Sequence, residues 1–203
     1  MRRLTEYHLK TPISESEVRK LRVGDIVYLS GIIVTARDSG HSRALALLER
    51  GESLPVDLRG LAVYHCGPVV RKRDGEWEIV AAGPTTSARL EAYEADFIEK
   101  TGVRMVIGKG GMGSRTAEAC KKFGAVYAIF TGGAAVLASR AMKRVVDVKW
   151  LDLGVPEAMW VIEVEEFGPL MVTIDSTGEN FYEKMRGEIE RRLREVVYPK
   201  IGF

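Results

Sequence analysis

The chain has 203 residues, with 30 Lys and Arg against 28 Asp and Glu and a net charge of +2. At 46% hydrophobic and 29% charged residues it has the composition of a soluble globule, and its length suits one domain of typically ~100–200 residues. The near-neutral balance gives little steering toward nucleic acid, and with no run of ~18 apolar residues and no apolar signal segment after Met1-Arg2-Arg3 the sequence predicts a cytoplasmic protein, partnered by neither nucleic acid nor membrane.

Ser14-Glu15-Ser16-Glu17 is an S-x-x-E capping box, and Val18 and Leu21 follow at helical spacing, so a short helix is predicted up to about Val23-Gly24. Ile26 to Leu29 and Ile32 to Val34 are β-branched runs, read as one strand kinked at Ser30-Gly31 or as two. Leu45, Leu47 and Leu48 predict a helix closed by Gly51. Leu61 to Tyr64 and Val69-Val70 read as strands, and Asp74-Gly75 is a hairpin turn with Trp77 to Val80 on the return. The first ninety residues are therefore expected to be β-rich and mostly antiparallel.

Beyond Gly83-Pro84 the pattern changes. Leu90, Tyr93, Phe97 and Ile98 mark a helix ended by Gly102, and Met105 to Ile107 a short strand. Gly108-Lys109-Gly110-Gly111-Met112-Gly113 leads into a helix from Ser114 to Gly124. Val126 to Phe130, Gly132-Gly133 and Ala134 to Met142 repeat the strand–turn–helix theme, which implies parallel strands with right-handed crossovers. Trp160 to Val164 and Leu170 to Ile174 return to strand.

Cys66 and Cys120 stand alone, so neither a disulfide framework nor a tetra-cysteine zinc site is available, and an iron–sulfur cluster would need three or four thiolates. Gly108 to Gly113 fits G-x-G-x-x-G between strand and helix, but the acid expected at the end of the next strand is replaced by Thr131-Gly132-Gly133. Lys109 precedes the glycines, so the segment is not a Walker loop either. What survives is a helix N-terminus that offers N–H groups to an anion beside a full positive charge, against a plain tight turn. Thr85 and Thr86 are candidate N-caps, with Arg89 one turn on, placed to grip a carboxylate. Arg37-Asp38-Ser39-Gly40-His41 is a charged loop after a strand. His8 and His65 read as structural.

The ordered set Arg37-Asp38 with His41, Gly67-Pro68, Gly83 to Arg89, Gly108 to Met112, Gly132-Gly133 and Leu153 to Trp160 resembles the β subunit, or fused C-terminal domain, of the iron–sulfur hydro-lyases that include class I fumarase and L-tartrate dehydratase. The resemblance runs from about Leu21 to Asn180, so 1–203 reads as one domain with its core at about 21–180 and a charged closing helix at about 183–196. It implies an α/β fold of the swivelling β/β/α kind, with a β-rich N-terminal part and a βαβα C-terminal part. A [4Fe-4S] cluster would be held by a partner α subunit in an αβ or α2β2 heteromer, and this chain would hold no metal. The short segment ahead of the fold resembles the split, two-subunit form.

The resemblance further implies that Arg37, His41, Arg89 and Lys109 bind substrate carboxylates and that Thr85, with Lys109, moves the proton at carbon. Fumarate and malate are dianions, which suits a site built from Arg37, Arg89 and Lys109. Thr85 is a poor base at its free pKa and needs its alkoxide stabilised or its proton relayed. Ser87-Ala88 stands where fused fumarases tend to have Ala-Gly. Reversible hydration of fumarate is the expected reaction. Tartrate dehydration is the alternative, and a non-enzymatic anion- or nucleotide-binding module is the reading from the glycine turns alone.

Overall fold

The chain is described here by a computed structural model covering residues 4–201; Met1 to Arg3, where the segment read for a leader begins, lie outside it. Strands β1 (Glu6–Lys10), β2 (Ile26–Thr35), β3 (Ala62–Tyr64), β6 (Met105–Gly108), β7 (Val126–Ile129), β8 (Met142–Lys149) and β9 (Met159–Ile174) form one sheet in the order β1-β2-β3-β6-β7-β9-β8. An additional pairing of β2 with β9 closes the middle of this sheet on itself. β4 (Val69–Arg73) and β5 (Glu76–Ala81) stand apart as a hairpin, turned by Asp74 and Gly75, both at positive φ. The fold is mixed α/β.

The antiparallel expectation for the first ninety residues is corrected. β1, β2, β3, β6 and β7 pair in parallel, each with the next. Helix α2 (Asp38–Glu49) lies between β2 and β3, and helix α3 (Glu91–Thr101) precedes β6. A strand followed by a covering helix returns to the same sheet in the parallel sense, so only the tight β4–β5 turn yields a local antiparallel pair. β9 runs antiparallel to β2, β7 and β8.

Period-2 alternation partitions the sheet residues between two cores. Ala62, Tyr64, Met105, Ile107, Val126 and Ala128 pack with Leu29, Ile33, Trp160 and Phe167 on one face. Val63, Val106 and Tyr127 face the other way, against Ala44, Leu90, Phe97, Ile98 and Cys120 of the helices. Glycines at C′ in the left-handed conformation, Gly102 (φ 70°) and Gly124 (φ 69°), end α3 and α4 (Ser114–Phe123) as predicted. The Ser14 capping box is present, but it starts a shorter helix than expected, α1 (Glu15–Val18). Ile26 to Thr35 is one strand, and so is Met159 to Ile174, which joins two predicted pieces. Helix α5 (Ala135–Ala141) runs directly into β8, and helix α6 (Phe181–Arg192) carries Asn180 as its cap. Among the described residues no helix is long and apolar enough to cross a membrane.

Candidate active site

Parallel strands β2, β3, β6 and β7 all end on the same side of the sheet, and the predicted site residues follow those ends. Arg37 comes just after β2, His65-Cys66-Gly67 just after β3, Lys109 after β6, and Thr131-Gly132-Gly133 after β7. The carboxyl ends of parallel strands are where open α/β sheets offer a crevice. Thr85 joins this edge because Pro84 bridges Cys66, Thr86 bridges Lys109, and the Thr85 N–H donates to the His65 carbonyl at 2.6 Å. Ser87 N–H donates to the Lys109 carbonyl at 3.0 Å, which zips the two segments together.

The cations stand at this edge in different states. Lys109 is exposed and makes no ion pair among the described residues. Its alkyl chain lies over Gly132, where a Cβ would come within 3.0 Å of Lys109 Cδ, so the second glycine turn serves as the platform for this side chain. Arg89 is exposed and pairs with Asp38 at 3.0 Å, bringing the turn after Thr86 against the start of α2. Arg37 is half-buried, 3.3 Å from Glu157, with its guanidinium above Gly67; a Cβ there would sit 2.8 Å from Arg37 Nη1. The cavity of about 600 Å³ beside the β4–β5 hairpin and that of about 1070 Å³ under α6 are lined by other residues. At this edge Lys109 and Arg89 are exposed and Thr85 is half-buried.

Two local expectations are corrected. Thr86 is at the N-cap position of a 3₁₀ turn (Ser87–Leu90) but makes no side-chain capping bond, so neither threonine is held there by a cap. The N-terminus of α4, expected to be open to an anion, is closed from within. Glu91 accepts from Gly113 N–H at 2.7 Å, Thr116 N–H at 3.2 Å and Thr116 Oγ1 at 2.7 Å. An internal carboxylate thus occupies the position that a phosphate would take, which removes the structural basis of the nucleotide reading and leaves the side chain of Lys109 as the free positive group.

His41 differs most from its predicted role. It is fully buried, with Nδ1 2.9 Å from the Arg37 carbonyl and Nε2 3.5 Å from Glu94, so its ring lies behind the loop that carries Arg37 and presents nothing to the open edge. His65, read as structural, is beside it, with Nε2 2.9 Å from Glu94 and Nδ1 2.9 Å from Ser87 Oγ. Burial drives all three pKa values first. The two imidazoles overrule it at Glu94, whose carboxyl is held below the usual range, and Glu94 with the Arg37 carbonyl overrules it at His41, which is raised. At His65 burial wins and the value is lowered. The sequence marks Ser87 only as a departure from the fused fumarases and does not mark Glu94, for which a Glu among the apolar positions of α3, three residues before Phe97, is the available signal.

A resident cluster does not fit this chain. Cys66 and Cys120 are both buried and belong to opposite cores, and burial pushes the Cys66 thiol up to about 12 and Cys120 higher still. A thiolate ligand set cannot be assembled from them.

A model of the family described as Fumarase C-terminus matches residues 2–185. L(+)-tartrate dehydratase subunit beta of Escherichia coli K12 is 50% identical over 172 residues, 85% of this chain and 84% of that protein. A Methanocaldococcus jannaschii protein provisionally named as the same subunit is 42% identical over 186 residues, covering 91% and 95% of the two chains. A Geobacillus stearothermophilus protein with the provisional name fumarate hydratase class I is 43% identical over 192 residues, 94% of this chain but 36% of that longer protein.

Proposed function

Because the chain belongs to the fumarase C-terminus family, we propose that it is the β subunit of a two-subunit hydro-lyase that adds and removes water across a four-carbon dicarboxylate, reversibly converting fumarate and malate. The observation that carries this reading is the convergence of Thr85, Arg89, Lys109 and Arg37 on one open sheet edge whose neighbouring helix N-terminus is already neutralised by Glu91. An open edge where Lys109 is unpaired among the described residues, beside two arginines in ion pairs, suits half of a site that a partner completes. L-Tartrate dehydration to oxaloacetate is the second reading, favoured by the name of the relative that shares half its residues with this chain over 172 positions.

In this reading the chain acts as a cytoplasmic swivelling domain that closes on an α subunit, and the [4Fe-4S] cluster belongs to that partner, since no thiolate set exists here. This chain's own work is binding and proton handling. A dianion needs two carboxylates neutralised as water leaves; Arg89 supplies a planar fork, Lys109 a point charge on a rigid platform, and Arg37 a half-buried charge above Gly67. In the dehydration direction the C–H proton of the substrate leaves from the carbon next to the one that loses hydroxide. Thr85 Oγ1 takes that proton as it passes its own hydroxyl proton on to a base of the partner subunit. The positive charge of Lys109, whose backbone bridges the neighbouring Thr86, lowers the cost of alkoxide character at the oxygen. His41 supports Arg37 from beneath.

Co-expression with the α subunit tests the assignment. The complex is expected to turn over malate and fumarate, with tartrate assayed in parallel, while the chain alone carries no iron and no activity. Iron bound stoichiometrically to the isolated chain with fumarate turnover would overturn it, and tartrate turnover at the expense of malate would move the assignment to the second reading.

A further inference from the structure

Under the open edge lies a polar cluster that is closed off from solvent. His41, His65, Glu94 and Ser87 are each fully buried. The two imidazoles meet edge to face with centroids 5.2 Å apart, and Phe97 covers His41 at 4.4 Å. Both rings bring Nε2 close to Glu94 Oε2, at 3.5 Å for His41 and 2.9 Å for His65 but without hydrogen-bond alignment, and turn Nδ1 toward a site-bearing segment. Glu94 therefore reaches the Arg37 carbonyl through His41, and Ser87 Oγ through His65. Ser87 Oγ in turn accepts from the Lys109 N–H at 3.3 Å, while the His65 carbonyl accepts from Thr85 N–H.

We infer that Glu94, His65 and Ser87, together with His41, are positioning residues of the proposed hydro-lyase site: one buried carboxylate orients two imidazoles, and these hold the Arg37, Thr85 and Lys109 segments in fixed relation. The inference rests on the reading that those three side chains meet substrate.

The 2.9 Å approach of His65 Nε2 to the Glu94 carboxylate selects between the two tautomers of that ring. With His65 neutral and its Nε2 facing the carboxylate, Nε2 carries the hydrogen and Nδ1 is a bare lone pair. Ser87 O–H donates to that lone pair, which leaves the Ser87 oxygen free to accept from Lys109 N–H. Protonated His41 balances ionised Glu94, so the cluster is neutral as a whole, as a group this buried must be. Other titratable groups face it from each neighbouring element: Asp38 from α2, Cys120 from α4 and Tyr127 from β7. Burial pushes Cys120 and Tyr127 up, so both stay neutral and Glu94 is the buried negative charge that His41 balances. Gly108 is the local condition for the link, because a Cβ there would fall 1.8 Å from Ser87 Oγ.

The test combines kinetics of the αβ complex with spectroscopy of the full chain. Ser87→Ala is expected to fold, to lower kcat at least about tenfold with a smaller change in KM, and to speed amide exchange at Lys109 by a similar factor. Long-range ¹H–¹⁵N spectra at neutral pH are expected to show His65 as the Nε2–H tautomer and His41 doubly protonated, with His41 losing its proton in Glu94→Gln. Wild-type kinetics and exchange in Ser87→Ala would overturn the proposal, and so would an Nδ1–H tautomer of His65. The three ligating side chains lie within 4.8 Å of one another, so metal content is measured too; a stoichiometric divalent ion lost in His65→Gln would replace the proton network with a metal centre. A wild-type complex inactive on all dicarboxylates would refute the hydro-lyase reading alone, because amide exchange and imidazole spectra still decide the network.

Discussion

Thr85 and Thr86 are chain neighbours with different surroundings. Thr85 is half-buried and tied by its N–H to His65, whereas Thr86 is exposed and forms a backbone bridge to Lys109 without capping the turn that follows. Thr85→Ala is therefore expected to remove most turnover in the complex at an unchanged thermal midpoint, and Thr85→Ser, which keeps the hydroxyl, to retain much of it. Thr86→Ala is expected to leave both nearly untouched, since the ~1 kcal/mol cost of a lost cap does not apply. Normal rates for Thr85→Ala would mean that the proton goes to the partner's base without Thr85. Arg89→Lys keeps charge but loses the fork, so kcat/KM is expected to fall at least ~tenfold, about 1.4 kcal/mol, with little loss of stability, because the exposed Asp38 pair contributes ~0–1 kcal/mol. The residues at the open edge were legible in the sequence because glycines and prolines punctuate them. His65, Glu94 and Ser87 were not, since a buried polar residue is recognised by partners that lie 22 to 29 positions away.

Glu91 shows how one element completes another. It opens α3, yet its carboxylate caps α4 by binding Gly113 and Thr116. Glu91→Gln keeps one acceptor oxygen and removes the charge, and is expected to cost about 1–2 kcal/mol, read as a lower thermal midpoint, with hydrogen exchange faster in the first turn of α4. An unchanged midpoint would mean that water replaces the cap. Apolar runs announced the central strands β2, β3, β6 and β7, but not β1 or β8. Tyr7-His8-Leu9 and Lys143-Arg144-Val145-Val146-Asp147 belong to the two end strands of the sheet, where one edge is open and charges are tolerated. Strand direction was misjudged although its signal was in the sequence: β-branched composition marks a strand, and the helix predicted at Leu45 to Leu48, between β2 and β3, is what sets those two strands parallel.

At the scale of the molecule, the closed sheet separates two cores, and the buried charge cluster sits on the helix side, where losing it affects the whole fold. Breaking a buried ion pair on one side costs about 3–5 kcal/mol, so Glu94→Gln is expected to lower the thermal midpoint at neutral pH by roughly 10 °C for a chain of this size. The sign of the pH dependence follows from each group. The Glu94 value is depressed in the fold, so its contribution is complete above the unfolded carboxyl value of ~4.3 and is lost as pH falls through the folded value. His41 is raised, so its contribution is complete below ~6.5 and fades as pH rises through the folded value; His65 is lowered, and its burial as a neutral ring costs stability below ~6.5. The two histidines therefore oppose each other near neutrality, and the carboxylate decides the acid limb. Thermal midpoints of the wild type and Glu94→Gln, measured from pH 7 down to pH 2, are expected to start drawing together below about pH 4.3 and to meet only as pH falls through the folded Glu94 value of about 2, where that group is uncharged as well. A gap that stayed constant over that range would mean that Glu94 is already protonated in the folded protein, and the His41 charge would then have no partner in the cluster.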